Sequence, residues 1–316
     1  MQRHYQVPVR TSTRFERSWL PPWALVQRSG SLLVLASAVA FGSLAIFGKL
    51  AYDAGVGVLM LLFVRFAIAA PVLWAGVLRR RHRFADRRAL LAGLALGAIG
   101  YAMQAGLFFT ALERMDASLL SLVLYTYPAF VTVAAVALGR ETPNRRRTGA
   151  LLASSGGLAL VLLGAGAGEF DWLGAAMGVG AALSYTGYIL VSDRVSLRIE
   201  PLPLAALVTT GAAVTFGLAG VATGSLHTDF DSEGWLLLAT IGLVSTVTPI
   251  VLFFAGLQRV GPSMAAILST LEPPTTVALA FVAFGETLTG VQLVGAALVL
   301  GAVAMLHVRP GHAATA

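Results

Sequence analysis

The chain has 316 residues, of which 57% are hydrophobic and only 12% are charged, and its mean hydropathy is +0.80. About a quarter of the residues in soluble proteins are charged, so this composition excludes an ordinary water-soluble globule and indicates a polytopic helical membrane protein. Cysteine is absent, which excludes disulfides, thiolate nucleophiles and cysteine metal sites.

The first 30 residues are polar and basic, and we interpret them as a cytoplasmic tail. A cleaved signal peptide fits less well, because the first apolar run starts after this segment and is long enough to span a bilayer. Ten apolar runs of the required length follow, and residues 308–316 form a second tail. We predict spans 1 to 10 at 31–52, 57–78, 89–112, 117–138, 147–165, 171–192, 202–223, 234–257, 262–284 and 289–307.

The placement of arginine and lysine predicts the orientation of such a protein. With the N-terminus inside, 19 of the 22 basic residues fall in inner segments, while the outer loops hold Arg114 and nine acidic residues. The positive charge is therefore a topology signal and not a nucleic-acid site, which would need a basic patch with base-reading groups. We predict a multi-pass protein of a bacterial-type inner membrane with both termini in the cytoplasm.

The chain repeats itself at a shift of 145 residues, which places Pro128 on Pro273 and Glu141 on Glu286. Each repeat holds five spans, so the second copy must insert upside down. The predicted fold is all-α, with ten transmembrane helices as two inverted five-helix repeats over residues 31–165 and 171–307. Inverted repeats are typical of secondary transporters, whose substrate site lies near the midplane beside interrupted helices.

The motifs also resemble a known family. In each repeat a proline is followed thirteen residues later by Glu-Thr, and three further motifs are Phe41-Gly42-Ser43 before Lys49, Arg65-Phe66 and Leu271-Glu272-Pro273. Over about residues 31–307 the chain resembles the drug/metabolite transporter superfamily, specifically its EamA family. The resemblance implies a ten-helix inner-membrane carrier, commonly an exporter of amino acids, other metabolites or drugs. The family's frequent Trp-Gly opening is Phe-Gly in this chain.

Three charged residues are placed inside the predicted spans. Glu272 lies near the middle of a span, where a charge costs roughly 2.5 kcal/mol or more. It is expected to bind a cationic group, to exchange a proton, or to form a fixed ion pair with Lys49 or Arg65. Lys49 lies near the outer end of span 1, where snorkelling to the interface is the alternative to a functional role. Arg65 lies deeper and needs a partner, and we favour a gate or scaffold role for it.

Further polar or amphipathic side chains lie within the spans, and together they predict a central cavity, although interhelical packing is the alternative for each one. They are Tyr101, Gln104, Tyr125, Tyr127, Tyr185, Tyr188, Ser245, Thr246 and Thr248. The predicted substrate or ion pathway consists of Glu272, Lys49, Arg65, Tyr101, Gln104, Tyr127, Tyr185 and Thr246. We expect Pro128 and Pro273 to kink their helices, as hinges or as static bends. Glu141 and Glu286 are expected to cap helix ends or brace loops.

The functional hypothesis is a secondary transporter that exports small amino-acid-like or amphipathic metabolites or drugs by alternating access. Proton coupling through Glu272 is a further hypothesis. The alternatives are an uptake carrier of the same fold and a non-transporting membrane scaffold or receptor. An enzyme is not expected, because the chain has neither a His-Glu-x-x-His nor a Gly-x-Ser-x-Gly motif.

The expected partners are a small-molecule substrate and the lipid bilayer, and neither a cofactor nor a metal is expected. Three pairs of glycines predict close helix contacts and leave a homodimer open. They are Gly93 and Gly97, Gly174 and Gly178, and Gly220 and Gly224.

Overall fold

The computed structural model describes residues 22–80, 87–139, 145–164, 171–196, 198–260, 265 and 268–307, and every regular element among them is a helix. These helices are α1 Pro22–Gly42, α2 Leu44–Asp53, α3 Val58–Arg79, α4 Arg87–Ala95, α5 Ala102–Leu112, α6 Ala117–Leu124, α7 Tyr127–Ala137, α8 Arg145–Leu163, α9 Trp172–Ser196, α10 Pro201–Thr223, α11 Ser232–Gly242, α12 Thr248–Val260, α13 Glu272–Phe284 and α14 Gly290–His307. Two π-helical turns, Leu96–Tyr101 and Leu243–Val247, join α4 to α5 and α11 to α12.

Seven helical runs among the described residues are long and apolar enough to cross a membrane. They are Arg28–Asp53, Val58–Arg79, Arg87–Leu112, Ala117–Ala137, Trp172–Ser192, Pro201–Thr223 and Ser232–Val260. Two shorter apolar helices, Thr148–Leu163 and Gly290–Met305, occupy the places of predicted spans 5 and 10. Predicted span 9 lies partly on 261–264 and 266–267, outside the described residues, and continues as α13. The all-helical membrane architecture is confirmed, and the count of ten spans stays a prediction.

The helices differ from the predicted spans mainly where the chain is interrupted. Span 1 is broken at Ser43, span 4 is broken between α6 and α7, and α1 already starts at Pro22, inside the predicted tail. Pro128 and Pro273 stand in the first turn of α7 and α13, where a missing N–H breaks no helical hydrogen bond. Both helices therefore begin at these prolines, and neither bends around an internal one.

One set of helix contacts is used twice in the described part of the chain. Helix α1 packs on α12 and α13, and helix α9 packs in the same way on α5 and α7. When the first half of the chain is matched to the second half, α1 corresponds to α9, α5 to α12 and α7 to α13, so the two sets of contacts are equivalent. The contacts of α3 with α10 and of α8 with α14 are their own counterparts under the same matching. The two π turns also lie at matching places, in the third helix of each half.

Glycines allow the helices to approach closely, as small residues do in membrane proteins. A Cβ added to Gly295 on α14 would lie 2.7 Å from the carbonyl oxygen of Gly157 on α8. Gly97 in the first π turn leaves no room for a Cβ against Val208, and Gly178 packs on Leu120. These glycine contacts lie within a single chain, so the homodimer stays a prediction.

The outer surface of the helices suits lipid. Large apolar side chains point outward, and Leu152, Leu218, Val221, Leu236 and Val282 are 67% to 81% exposed.

Charged groups gather at the two ends of the bundle, and most of them are basic at one end and acidic at the other. One end holds Arg79, Arg80, Arg87, Arg88, Arg145, Arg194, Arg198 and Arg259, and the other holds Asp53, Glu113, Asp116, Asp171, Asp229, Asp231, Glu233 and Glu286. We call these the basic end and the acidic end.

Candidate functional site

A cavity of about 140 Å³ lies among helices from both halves of the chain, and we call it the central cavity. It is lined by Phe41, Leu44, Ala45, Arg65, Tyr101, Gln104, Ala105, Phe108, Phe109, Ser121, Leu124, Tyr125, Tyr127, Tyr185, Glu272 and Thr276. Six of the eight predicted pathway residues are among them: Glu272, Arg65, Tyr101, Gln104, Tyr127 and Tyr185. The structure places Lys49 and Thr246 elsewhere.

Glu272 stands at the first position of α13, directly after the break in its span. The hydroxyl of Tyr125 lies 2.8 Å from its Oε2 and 2.9 Å from the backbone oxygen of Ser269. Ser269 is the residue four positions before Pro273, so its carbonyl has no helical N–H to accept. Gly42 packs against the backbone here, since a Cβ at Gly42 would lie 2.9 Å from the carbonyl oxygen of Glu272. The break thus places a carboxylate and a freed carbonyl beside one phenol.

Arg65 on α3 is only 2% exposed. Its Nε donates a hydrogen bond of 2.8 Å to Thr246 Oγ1, and its Nη2 lies 3.5 Å from the hydroxyl of Tyr101. The guanidinium also lies 4.8 Å from the ring centre of Phe66. Among the described residues, no carboxylate lies within 4.0 Å of this cation, so the predicted ion pair with Glu272 is not formed.

Thr246 belongs to the second π turn and positions Arg65 from behind the cavity wall. Its own hydroxyl proton goes to the carbonyl of Ile241 at 2.8 Å, five residues back, which leaves its oxygen free to accept from Arg65. A spacing of five residues is the π-helical one. Thr246 is therefore a support for a cavity residue and does not itself line the cavity.

Tyrosines form a continuous aromatic wall on the α9 side of the cavity. The ring centres of Tyr127 and Tyr185 are 4.6 Å apart, and Tyr188 continues the row with separations of 5.8 Å to Tyr185 and 5.4 Å to Tyr101. Tyr125 meets Tyr127 edge to face at 5.9 Å. Aromatic faces attract cations, so this wall suits a positively charged group near Glu272.

Lys49 lies in a second cavity of about 590 Å³ at the acidic end, lined by Lys49, Tyr52, Asp53, Leu112, Glu113, Asp116, Phe284 and Glu286. Its Nζ is 2.9 Å from Glu286 and 3.7 Å from Asp116. Lys49 therefore pairs with Glu286 and not with Glu272, and its functional role as a pathway residue stays a prediction.

Glu286, which follows α13, connects this part of the acidic end to α2 and to the start of α6. Besides Lys49, it accepts hydrogen bonds from the backbone N–H of Ala117 and Ser118 and from the Ser118 hydroxyl, at 3.1, 3.0 and 2.7 Å. Burial raises the pKa of Glu286, but the hydrogen bonds from Ser118 and Lys49 outweigh it, so the pKa lies below the usual 4.5. The carboxylate caps the first turn of α6, as expected for a residue at a helix end. Glu141, its sequence counterpart, lies outside the described residues.

The sequence interpretation did not single out Ser121 and Thr276, which also line the central cavity. Ser121 precedes Tyr125 by four residues, and Thr276 follows Glu272 by four. Residues four apart lie on one face of a helix, so this spacing is the signal that could have found them.

Known proteins share both the sequence and the fold of this chain. The EamA-like transporter family matches residues 28–163 and again 172–308, once in each half. The uncharacterized transporter YcbK of Bacillus subtilis is 28% identical over 84% of this chain and 89% of its own length. The threonine/homoserine exporter RhtA of Salmonella typhimurium is 26% identical over 76% of this chain and 78% of its own.

One solved crystal structure has a similar fold, with a TM-score of 0.60 and 19% identity over 88% of this chain and 96% of that one. The family match covers nearly the whole chain in two copies, which confirms the resemblance to the drug/metabolite transporters. The family and these relatives are transporters and not enzymes. This chain therefore belongs to the EamA-like transporter family and is a multi-pass membrane transporter.

Proposed function

We propose that the chain is a secondary transporter that exports small amino-acid-like or amphipathic metabolites, or drugs, across the bacterial inner membrane by alternating access. One observation carries the proposal most directly. The central cavity lies between the two family-matched halves and is lined by a buried cation, Arg65, and a carboxylate, Glu272, that do not pair with each other among the described residues. A buried cation such as Arg65 is expensive without a counter-ion unless a ligand supplies one.

The arrangement of the two charges favours a zwitterion as substrate. A substrate carboxylate can accept from Arg65, because guanidinium groups bind carboxylates with directed hydrogen bonds. A substrate amino group can then lie between Glu272 and the rings of Tyr127 and Tyr185. The relatives named threonine/homoserine exporters point to the same chemistry, because both compounds carry an amino group and a carboxylate.

Alternating access follows from an inverted duplication of five helices in each half. The repeated contact pattern and the matching π turns support a duplication, and the basic and acidic ends support an inner-membrane orientation with both termini in the cytoplasm. Because the chain has no cysteine, single cysteines can test this directly. Thiol reagents that do not cross the membrane should label a cysteine at 288 from outside whole cells and should fail to label one at 143.

The transport test is efflux from proteoliposomes that contain the purified chain. We use labelled L-threonine first, followed by L-homoserine and a metabolite extract. Saturable flux that falls in Arg65→Gln and Glu272→Gln, but not in Arg114→Gln, supports the proposal. Arg114 is the matched control, since it pairs with Asp171 at 3.2 Å on the exposed acidic end. Absence of flux with all three probes, from protein that is folded and correctly inserted, would favour a receptor or scaffold.

A further inference from the structure

A single phenol proton stands between two acceptors at the break before α13. Tyr125 Oη is 2.8 Å from Glu272 Oε2 and 2.9 Å from the carbonyl oxygen of Ser269. A tyrosine has one O–H to donate, although its oxygen can also accept. One proton shared between both oxygens gives each of them a bent and weaker bond. Two full hydrogen bonds at these distances need one partner to supply a proton of its own, and of the two only the carboxyl group can do so.

If Glu272 is protonated, the Glu272 carboxyl, the Tyr125 hydroxyl and the Ser269 carbonyl each have a hydrogen-bond partner. Its carboxyl O–H donates to the oxygen of Tyr125, and Tyr125 donates to the carbonyl of Ser269. With Glu272 ionised, the phenol proton turns to the carboxylate and the carbonyl of Ser269 loses its donor. This carbonyl cannot find another donor within its helix, since residue 273 is proline. A partly buried carbonyl that loses its donor makes the ionised form less favourable than the protonated one.

The other groups that face Glu272 are compatible with the protonated form. Tyr101, Tyr127 and Tyr185 line the same cavity, and among the described residues Tyr125 is the side chain that hydrogen-bonds to the carboxyl group of Glu272. Arg65 is the charged group on the opposite wall, and its attraction favours the ionised form. Its guanidinium is held, however, by Thr246 and lies over Phe66, outside ion-pair distance of Glu272. Lys49 is bound to Glu286 at the acidic end.

We propose that Glu272 carries a proton that is exchanged for the cationic group of the substrate, and that Tyr125 transmits this exchange to the helix break before α13. The inference rests on the proposed transport function. When a substrate ammonium group arrives, one proton leaves the Glu272 carboxyl for water, and the carboxylate then pairs with the ammonium. The phenol proton of Tyr125 turns from Ser269 to Glu272, and the break loses a hydrogen bond. Release of the substrate and return of one proton restore the starting state.

The mechanism gives Tyr125 a role as a positioning residue. It does not take the proton away from Glu272, and instead links the charge of Glu272 to the carbonyl that Pro273 leaves free. Occupation of the cavity can thus change the stability of the junction at Leu271 and Glu272, which lies between the two parts of span 9. A link of this kind is what couples a bound ligand to a conformational change.

The first experiment needs no substrate and uses the full chain in lipid vesicles. Infrared difference spectra between mildly acidic and mildly alkaline buffer should contain a carboxylic-acid C=O band that is absent from Glu272→Gln. In Tyr125→Phe this band should remain but move to the position of an acid without a hydrogen-bond acceptor. Tyr127→Phe is the matched control and should leave the band in place, because Tyr127 meets Tyr125 and Tyr185 through ring contacts.

The second readout is hydrogen exchange at the break, followed by mass spectrometry at the two pH values. In the wild type, the protection factors of the amides of Leu271 and Thr275, which are corrected for the intrinsic pH dependence of exchange, should be lower at alkaline pH, when Glu272 is ionised. That pH dependence should be lost in Tyr125→Phe and in Glu272→Gln and kept in Tyr127→Phe. Proton-driven flux should fall about fivefold in Tyr125→Phe, as expected for one lost hydrogen bond of about 1 kcal/mol.

Two results would overturn the inference. One is a wild-type spectrum without a band that depends on Glu272, and the other is a Tyr125→Phe variant that matches the wild type in band position and in amide exchange. If Glu272→Gln does not fold, Tyr125→Phe still decides the question. A pH-dependent band and exchange without flux of any probe would remove the transport function alone, whereas flux without either signal would remove only the proton exchange.

Discussion

Two regions of this chain each bring a cation from the first half near a glutamate of the second half, Glu286 just after α13 and Glu272 at its start, and they treat the two pairs in opposite ways. At the acidic end, Lys49 and Glu286 are 2.9 Å apart, and Glu286 also accepts from the first turn of α6. In the central cavity, Arg65 and Glu272 line the same space without forming an ion pair.

We propose that this difference separates structural charges from functional ones. The carboxylate of Glu286 has its acceptor sites filled by protein donors, so it has little to offer to a ligand. Arg65 and Glu272 each keep capacity for a charged partner, and the cavity between them provides the room. A buried cation such as Arg65, which has no carboxylate within 4.0 Å in the described part of the chain, is a default candidate for a substrate or ion pathway. Four predictions test this contrast.

The largest expected effect is that of Arg65→Gln on transport. Loss of a charged hydrogen-bond donor costs about 1.5–3 kcal/mol, which corresponds to a reduction of about 10- to 100-fold in specific flux. Arg65→Lys should not restore the flux, because an ammonium cannot reproduce the donation to Thr246 and to a substrate carboxylate at once. Flux of L-threonine per folded protein measures this. If Arg65→Gln transported L-threonine at the wild-type rate, the proposed functional difference between the central cavity and the acidic end would be wrong.

The next effect is that of Glu286→Ala on stability. The substitution leaves Lys49 without its closest partner and the N–H groups of Ala117 and Ser118 without their acceptor. We expect a loss of about 1–2 kcal/mol, as for a removed helix cap, with flux per folded protein changed by less than about twofold. Thermal unfolding in detergent and reconstituted flux check the two parts. A variant with wild-type stability but no flux would make Glu286 functional and would break the comparison.

A smaller effect is expected for Thr246→Val, which keeps the shape of the side chain and removes the oxygen that Arg65 binds. One lost hydrogen bond of about 1–1.5 kcal/mol corresponds to a reduction of about five- to tenfold in transport efficiency. Thr248→Val is the control, since Thr248 lies two residues away and is exposed. Equal flux in the two variants would mean that Thr246 does not position Arg65.

The smallest effect concerns acid stability. Because the pKa of Glu286 is lower in the folded chain than the usual 4.5, Glu286 stabilises the fold above that pH and loses this contribution as the pH falls through the folded value. Glu286→Gln should therefore flatten the decline in melting temperature below about pH 4.5 relative to the wild type. A parallel decline in the two proteins would contradict the assigned role of Glu286.

The sequence predicted the membrane class, the two family-matched halves and most of the polar side chains that line the central cavity, because apolar run length and polar residues within runs are local signals. It did not predict which glutamate binds Lys49, since Glu286 lies 237 residues away and was placed in a loop. The link between Tyr125 and Ser269 was also out of reach, although Pro273 implied a freed carbonyl that some neighbour had to satisfy. A partner of that kind is chosen by packing, which hydropathy does not describe.

The π turn at Leu243–Val247 makes the position of Arg65 in the cavity wall sensitive to chain length, because Arg65 bonds to Thr246 in this turn. A π turn accommodates one residue more than the α-helix around it. Deletion of a single residue there would restore a regular helix and leave the flanking turns in place, because the extra residue is accommodated within the π turn itself. Residues within the turn would then shift by up to one position, which is about 100° around the helix axis. Thr246 would then point away from Arg65 although the amino acids around it were unchanged. A homologue with a one-residue gap at this turn should therefore bind the negatively charged group of its substrate differently, even if it keeps both the arginine and the threonine.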